Sequence, residues 1–140
     1  MLYIDTSVLV AYYCPESMSD QVEGILINAD NPAVSQLTEI EIASAIARKI
    51  REHAFSKEDG YNILSLFQKH IDQKSFIYIP IQTKHYAIAK NWLTQFNTPL
   101  RSLDAIHLAI AYKKKIPILT ADAKLASSAK ILGIEAILVT

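Results

Sequence analysis

Cysteine is almost missing from this chain. Cys14 is the only one in 140 residues, so no internal disulfide forms and no metal site is built from cysteine thiolates. That usage suits a reducing cytoplasm. Glycine is nearly as scarce: Gly24, Gly60 and Gly133 stand far apart. Their separation excludes a Walker-type phosphate loop and a dinucleotide fingerprint, both of which need clustered glycines where backbone N–H groups approach a phosphate. There is no G-x-S-x-G nucleophile elbow and no H-E-x-x-H zinc pair. No apolar run approaches the roughly 20 residues of a membrane span. The opening MLYIDTSVLV carries no basic leader or small-residue cleavage site, and it reads as a first strand rather than a signal peptide. Net charge is absent as well, because 14 basic and 14 acidic residues cancel. A protein that grips nucleic acid by bulk charge is normally basic. Any such ligand therefore depends on local patches, and the candidates are Arg48, Lys49 and Arg51, and Lys113 to Lys115. Each patch reads first as a solvated helix end.

What remains is the composition of one compact domain spanning residues 1–140, with 51% hydrophobic and 20% charged residues. Apolar runs of strand length occur near Leu2–Ile4, Ala33–Val34, Phe76–Ile81, Ile116–Leu119 and Ile134–Val139. Helical periodicity fills the intervals at Ser17–Ala29, Leu37–His53, Thr83–Phe96, Ser102–Lys114 and Ala121–Leu132, the last stopped by Gly133. A capping sequence, Ser56-Lys-Glu-Asp59, opens a further helix carrying Leu64, Phe67 and Ile71. Strands alternating with helices predict an α/β fold with a parallel sheet covered on both faces. Such sheets collect ligands at the carboxyl ends of their strands.

Acids fall at those ends. Asp5 follows the first apolar run and Asp122 follows Ile118-Leu-Thr-Ala121. Singly, each reads as a helix cap. Two more acids interrupt apolar helices: Asp104 in Ser102-Leu-Asp-Ala-Ile-His-Leu-Ala-Ile-Ala-Tyr112, and Glu41 in Ile40-Glu-Ile-Ala-Ser-Ala-Ile-Ala47. A helix apolar nearly all round is buried, and a buried carboxylate needs a compensating partner. The helix dipole, worth about 0.3–1 kcal/mol near a first turn, accounts for one of them but not for all four. Carboxylates gathered at one site repel each other and call for a cation, and all-oxygen ligation favours Mg²⁺ or Mn²⁺ over zinc. The four carboxyl groups are accordingly expected to converge in one cleft at the carboxyl edge of the sheet. His107, one turn after Asp104, reads first as a satisfied core histidine and second as a group that orients Asp104. The Asp-Thr-Ser start also resembles the aspartyl nucleophile segment of phosphatases of the haloacid-dehalogenase type, which need a second Asp where this chain has Ser7.

In order along the chain, four motifs stand out: Tyr3-Ile-Asp-Thr-Ser-Val-Leu-Val10, Ser35-Gln-Leu-Thr-Glu-Ile-Glu-Ile-Ala-Ser-Ala45, Leu103-Asp-Ala-Ile-His-Leu-Ala109 and Leu119-Thr-Ala-Asp-Ala-Lys-Leu125, closed by Ala129-Lys-Ile-Leu-Gly133. With these the chain resembles the PIN-domain family, and within it the VapC-type toxins of toxin–antitoxin pairs. The resemblance spans essentially the whole sequence. It implies a three-layer fold with a central parallel sheet of four to five strands. It also implies Mg²⁺- or Mn²⁺-dependent endoribonuclease activity in the cytoplasm, a cognate antitoxin and a homodimer. By position, the family's acidic quartet falls on Asp5, Glu41, Asp104 and Asp122. Glu39 is a rival for the second place, but the Ser-x-Leu-Thr-x-x-Glu register selects Glu41. Asp5, Asp104 and Asp122 would hold the ion, with Glu41 as a further ligand or as the base for the attacking water. Thr6 and Thr120 take the positions of hydroxyls beside the acids. The competing readings are a PIN fold kept as a non-catalytic binding module, whose mark would be loss of acids, and a metal-dependent phosphatase.

One surface feature is separate from the acids. Val8-Leu-Val-Ala-Tyr-Tyr13 precedes Cys14-Pro15, where a helix ends near the surface. Tyr12 and Tyr13 are therefore expected to border a groove between this helix and the Ser17–Ala29 helix, fitted to an antitoxin segment.

Overall fold

The computed structural model describes residues 1–14 and 18–140. Among these the elements run β1 (Leu2–Ile4), α1 (Thr6–Tyr13), α2 (Ser19–Asn28), β2 (Pro32–Ser35), α3 (Gln36–Arg51), α4 (Lys57–Asp72), β3 (Ile77–Ile79), α5 (Thr83–Leu93), α6 (Ser102–Lys114), β4 (Ile118–Thr120), α7 (Ala123–Ile131) and β5 (Ala136–Leu138). The five strands pair in parallel in the order β3-β2-β1-β4-β5. The expected α/β class and strand number are both realised. The expected helix start at Ser17 lies outside the described residues.

The period-2 alternation of short apolar strands sorts the core into two layers. Tyr3, Ala33 and Ile118 turn to one face, packed under α5, α6 and α7. Ile4, Val34 and Leu119 turn to the other, under α1 to α4. The chain moves from β1 outward to β3 with its helices on the second face. It then crosses back to β4 with its helices on the first, as crossovers of constant hand require when the direction of travel reverses. That reversal puts the topological switch point between β1 and β4, and ligands of open α/β sheets bind at such a point.

Local signals held where their chemistry was explicit. Ser56 and Asp59 exchange hydrogen bonds at the start of α4, Asp59 N to Ser56 Oγ at 3.1 Å and Ser56 N to Asp59 Oδ2 at 3.3 Å. Gly133 takes φ +76° just beyond α7, the left-handed turn that glycine adopts without strain. Helix α6 is buried from Ala105 through Ala111, in keeping with its all-round apolar sequence. The helix must therefore project Asp104, in its first exposed turn, toward the carboxyl end of the sheet.

Candidate active site

Asp5 and Thr120 lie at the ends of the adjacent strands β1 and β4, tied by Asp5 N to the Leu119 carbonyl at 2.9 Å. Asp5 occupies the N-cap position of α1, yet its side chain makes no capping bond. Instead its Oδ2 accepts from the Thr120 hydroxyl at 2.8 Å and the Ser7 hydroxyl at 2.6 Å. Those hydroxyls are in turn fixed by backbone donors: Asp122 N to Thr120 Oγ1 at 3.0 Å, and Ala121 N to Ser7 Oγ at 3.1 Å. Asp122 does cap α7, its Oδ1 accepting from Lys124 N and Leu125 N at 2.9 and 3.3 Å. The capping account thus holds for Asp122 and fails for Asp5.

Glu41 projects from α3. Its Oε1 accepts from Thr6 Oγ1 at 2.7 Å and is in contact with His107 Nε2. Glu39, two residues earlier, is bound by the Tyr78 hydroxyl instead, so it faces a different neighbour from Glu41. Burial alone would raise the Glu41 carboxyl. The His107 hydrogen bond and charge, together with the Thr6 hydroxyl, outweigh it and hold the group below the ordinary glutamate range. Asp104 moves the opposite way. Its carboxyl is pushed up first by burial and then by the negative charges of Asp5, Asp122 and Glu41, with only His107 pulling it down. Asp104 is the one carboxyl of the four whose shift carries the charge of the other three.

Asp5, Glu41 and Asp122 share a pattern: one oxygen is anchored by the protein, and the other receives no hydrogen bond from a described residue. Such half-anchored carboxylates are oriented donors with a free oxygen, which suits a hard cation. Among the described residues, no three of these side chains already stand as a finished cage. Bare carboxylates repel one another. Magnesium in particular is held through one or two carboxylates, with water and phosphate completing the shell. The donor set fits that kind of site.

The expected single cleft is resolved into two openings. Asp104 and Asp122 line one of about 410 Å³ with Arg101 and Lys124. Glu41 lines the other, about 1100 Å³, with Thr6, Ser7 and Arg48. Lys49 and Arg51 border this second groove as well. Arg48 also stands 3.7 Å from Glu52, an exposed pair worth little. Lys113 to Lys115 close the opposite end of α6, roughly 15 Å along the helix axis from Asp104, and take no part in the site.

His107 is fully buried and satisfied, as its first reading had it. Two other expectations are corrected. The side chain that His107 holds is Glu41 on α3 rather than Asp104 on its own helix. Tyr13 is half-buried and turned away from the acids: its hydroxyl meets His70 Nδ1 at 2.6 Å, and its ring packs edge-on against Phe67. The groove it borders is formed with Lys49, Phe55 and Ile63, between α3 and α4, not with α2. Instead, Val10 of α1 and Met18 line the groove beside Glu41. Ser7 is the site residue that sequence reasoning passed over. Its signal was available, since a hydroxyl two residues after an Asp at a helix start can bond that side chain.

A model of the PIN domain matches residues 2–131. The chain belongs to the PIN domain family. Its fold is shared with solved structures at low identity. The FitAcB structure from Neisseria gonorrhoeae aligns at TM-score 0.71 and 15% identity, covering 98% of this chain and 96% of that one. VapBC2 from Rickettsia felis, bound to a promoter DNA fragment, aligns at 0.71 and 16%, covering 100% of both chains. VapC20 of Mycobacterium tuberculosis, a toxin that cleaves the sarcin–ricin loop, aligns at 0.68 and 13%, covering 91% and 95%. No curated protein matches the sequence. In this PIN domain no helix is long and apolar enough to cross a membrane, among the described residues.

Proposed function

We propose that this PIN domain is a divalent-metal-dependent endoribonuclease, the toxin of a toxin–antitoxin pair, with Asp5, Glu41, Asp104 and Asp122 as its working acids. The observation that carries the reading is Asp5 at the switch point of the sheet, one oxygen held by the Thr120 and Ser7 hydroxyls, with the Asp104 carboxyl pushed up first by burial and then by the charges of Asp5, Asp122 and Glu41. Asp5, Asp104 and Asp122 would hold Mg²⁺ or Mn²⁺. When bound, such an ion supplies an activated water and charge stabilisation on the phosphate. The chain's own residues do the rest. Thr120 and Ser7 hold one oxygen of Asp5 and leave the other for ligation. Glu41, kept ionised by His107 and Thr6, serves as a further ligand or as the acceptor of the water's proton. Arg48, Lys49 and Arg51 along the Glu41 groove offer the local positive charge that an RNA backbone needs and that the neutral composition does not supply.

The partner reading rests on the similar structures, among which are a toxin–antitoxin complex from Klebsiella pneumoniae and a member of the VapBC family of toxin–antitoxin systems from Mycobacterium tuberculosis. Exposed Ile40, Tyr86 and Leu103 border the Glu41 groove and give an antitoxin segment or a second copy of the chain an apolar seat beside the acids. The test is incubation of the purified protein with structured RNA, with and without Mn²⁺, beside an Asp5→Asn control. Endonucleolytic cleavage that requires Mn²⁺ and vanishes in the control is the expected outcome. Equal cleavage by the control, or cleavage unaffected by chelation, would sink the proposal.

A further inference from the structure

Behind Glu41 lies a buried chain of polar side chains whose link to the proposed reaction runs through Glu41 alone. The Tyr3 hydroxyl stands 2.8 Å from Ser35 Oγ and also contacts His107 Nδ1. The other ring nitrogen, Nε2, contacts Glu41 Oε1, and Thr6 donates to that same oxygen at 2.7 Å. Tyr3, Ser35 and His107 are all 0% exposed, so water cannot substitute for any missing partner.

Proton counting fixes the end of this chain that meets Glu41. A carboxylate only accepts, so His107 Nε2 must carry a hydrogen. In the neutral imidazole Nδ1 accepts from the Tyr3 hydroxyl, the only group that reaches it, and the phenol oxygen accepts from Ser35; in the imidazolium Nδ1 donates to Tyr3, which donates to Ser35. Nε2–H is held on Glu41 in both forms, and no buried side-chain polar atom among the described residues is left without a partner. The arrangement has a consequence at the site: Glu41 is gripped by one oxygen from two directions, so its carboxylate cannot rotate and Oε2 is the oxygen presented to the groove.

The geometry points to His107 as a positioning residue for Glu41, with Tyr3 as the group that fixes its tautomer. The inference rests on Glu41 serving the reaction as proposed above. Partners that orient a ligand or base through its other face commonly account for about 10–100-fold in activity. His107→Leu is therefore expected to lower kcat for RNA by about 10–100-fold while moving KM less than about twofold. His107→Gln, whose amide can donate to Glu41 Oε1 as Nε2–H does, restores most of that loss. Tyr3→Phe lowers kcat by about tenfold in the parent but adds nothing in the His107→Gln background, because the amide has no tautomer to fix. A residue that merely filled the core would give additive losses and no rescue by Gln.

Long-range ¹H–¹⁵N spectra of the metal-free protein supply a readout independent of activity and of the Leu variant's folding. His107 is expected to show a protonated Nε2 in every state of the ring, with Nδ1 the unprotonated nitrogen when the ring is neutral. The reverse tautomer, additivity of the Tyr3 and His107 variants, or no rescue by Gln would each overturn the positioning role. Glu41→Gln separates this inference from the reading beneath it. Its full activity would remove the underlying role of Glu41, and its inactivity beside unimpaired His107 variants would remove only the present inference.

Discussion

Asp104→Asn is expected to lower kcat for RNA by about 10²–10³-fold, several kcal/mol in the barrier, while leaving the metal-free protein as stable as the parent or more so. The two halves of that result have one cause. The folded state raises the Asp104 carboxyl above its ordinary value of 3.8, first by burying it and then through the negative charges of Asp5, Asp122 and Glu41. Well below pH 3.8 the group is protonated folded and unfolded, and it contributes nothing. As pH rises through that value the unfolded chain releases the proton first, so ionisation favours unfolding. The penalty grows until the pH passes the raised folded value and stays constant above it. Asparagine removes the penalty, so the advantage of the variant is absent in acid and complete at neutral pH. Glu41 has the opposite sign. Its folded carboxyl is lowered, so it stabilises the protein above the ordinary glutamate value, and that stability is lost as pH falls through the lowered one. Glu41→Gln is thus expected to be less stable at neutral pH, with the deficit fading in acid. Thermal melts from acid to about pH 8 check both. An Asp104→Asn protein much less stable than the parent at neutral pH would make Asp104 a structural partner rather than a member of a strained site.

The same repulsion predicts a large response to metal. An ion that binds only the native state stabilises it by RT ln(1 + [L]/Kd), about 2.7 kcal/mol at a hundredfold excess over Kd. For a chain of 140 residues that corresponds to a rise in Tm of about 9 °C. Mn²⁺ and Mg²⁺ should both produce it, and Ca²⁺ less, because its larger shell suits more oxygen ligands than this cluster offers. In Asp104→Asn the rise should shrink to near zero, since the removed charge is the one the ion relieves. A rise of equal size in parent and variant would place the binding elsewhere on the surface.

How far these residues were legible in the sequence depended on whether their partners were local. The strands were readable because short apolar runs alternated with amphipathic helices, and the sheet order is the one that right-handed crossovers allow. Asp5 and Asp122 could be found by inspecting the exit of each strand, and Asp104 by asking why an acid interrupts a buried helix. Long-range pairing escaped. Sequence spacing offered His107 first as a satisfied core histidine, which it is, and second as a group orienting Asp104, three residues away on one helix. Its actual partners, Glu41 and Tyr3, come from elements 66 and 104 residues distant, and only the folded sheet brings them together. Tyr13 escaped for a related reason. Proline after a helix signals an end near the surface, but not that α4 would return to offer His70 and Phe67 to the ring. The split of the acids between two openings was likewise invisible, because it depends on how α3 and α6 pack across β1.

The central claim, that these carboxylates gather to hold a divalent ion, is tested most directly by anomalous diffraction at the manganese edge from crystals equilibrated with Mn²⁺. The expected result is a peak within ligand distance, about 2.0–2.4 Å, of free oxygens of at least two of Asp5, Asp104 and Asp122, with Thr120 and Ser7 still bonded to Asp5. A peak confined to other surface acids, or the four carboxylates unmoved and without a peak at Mn²⁺ concentrations that support RNA cleavage, would contradict it.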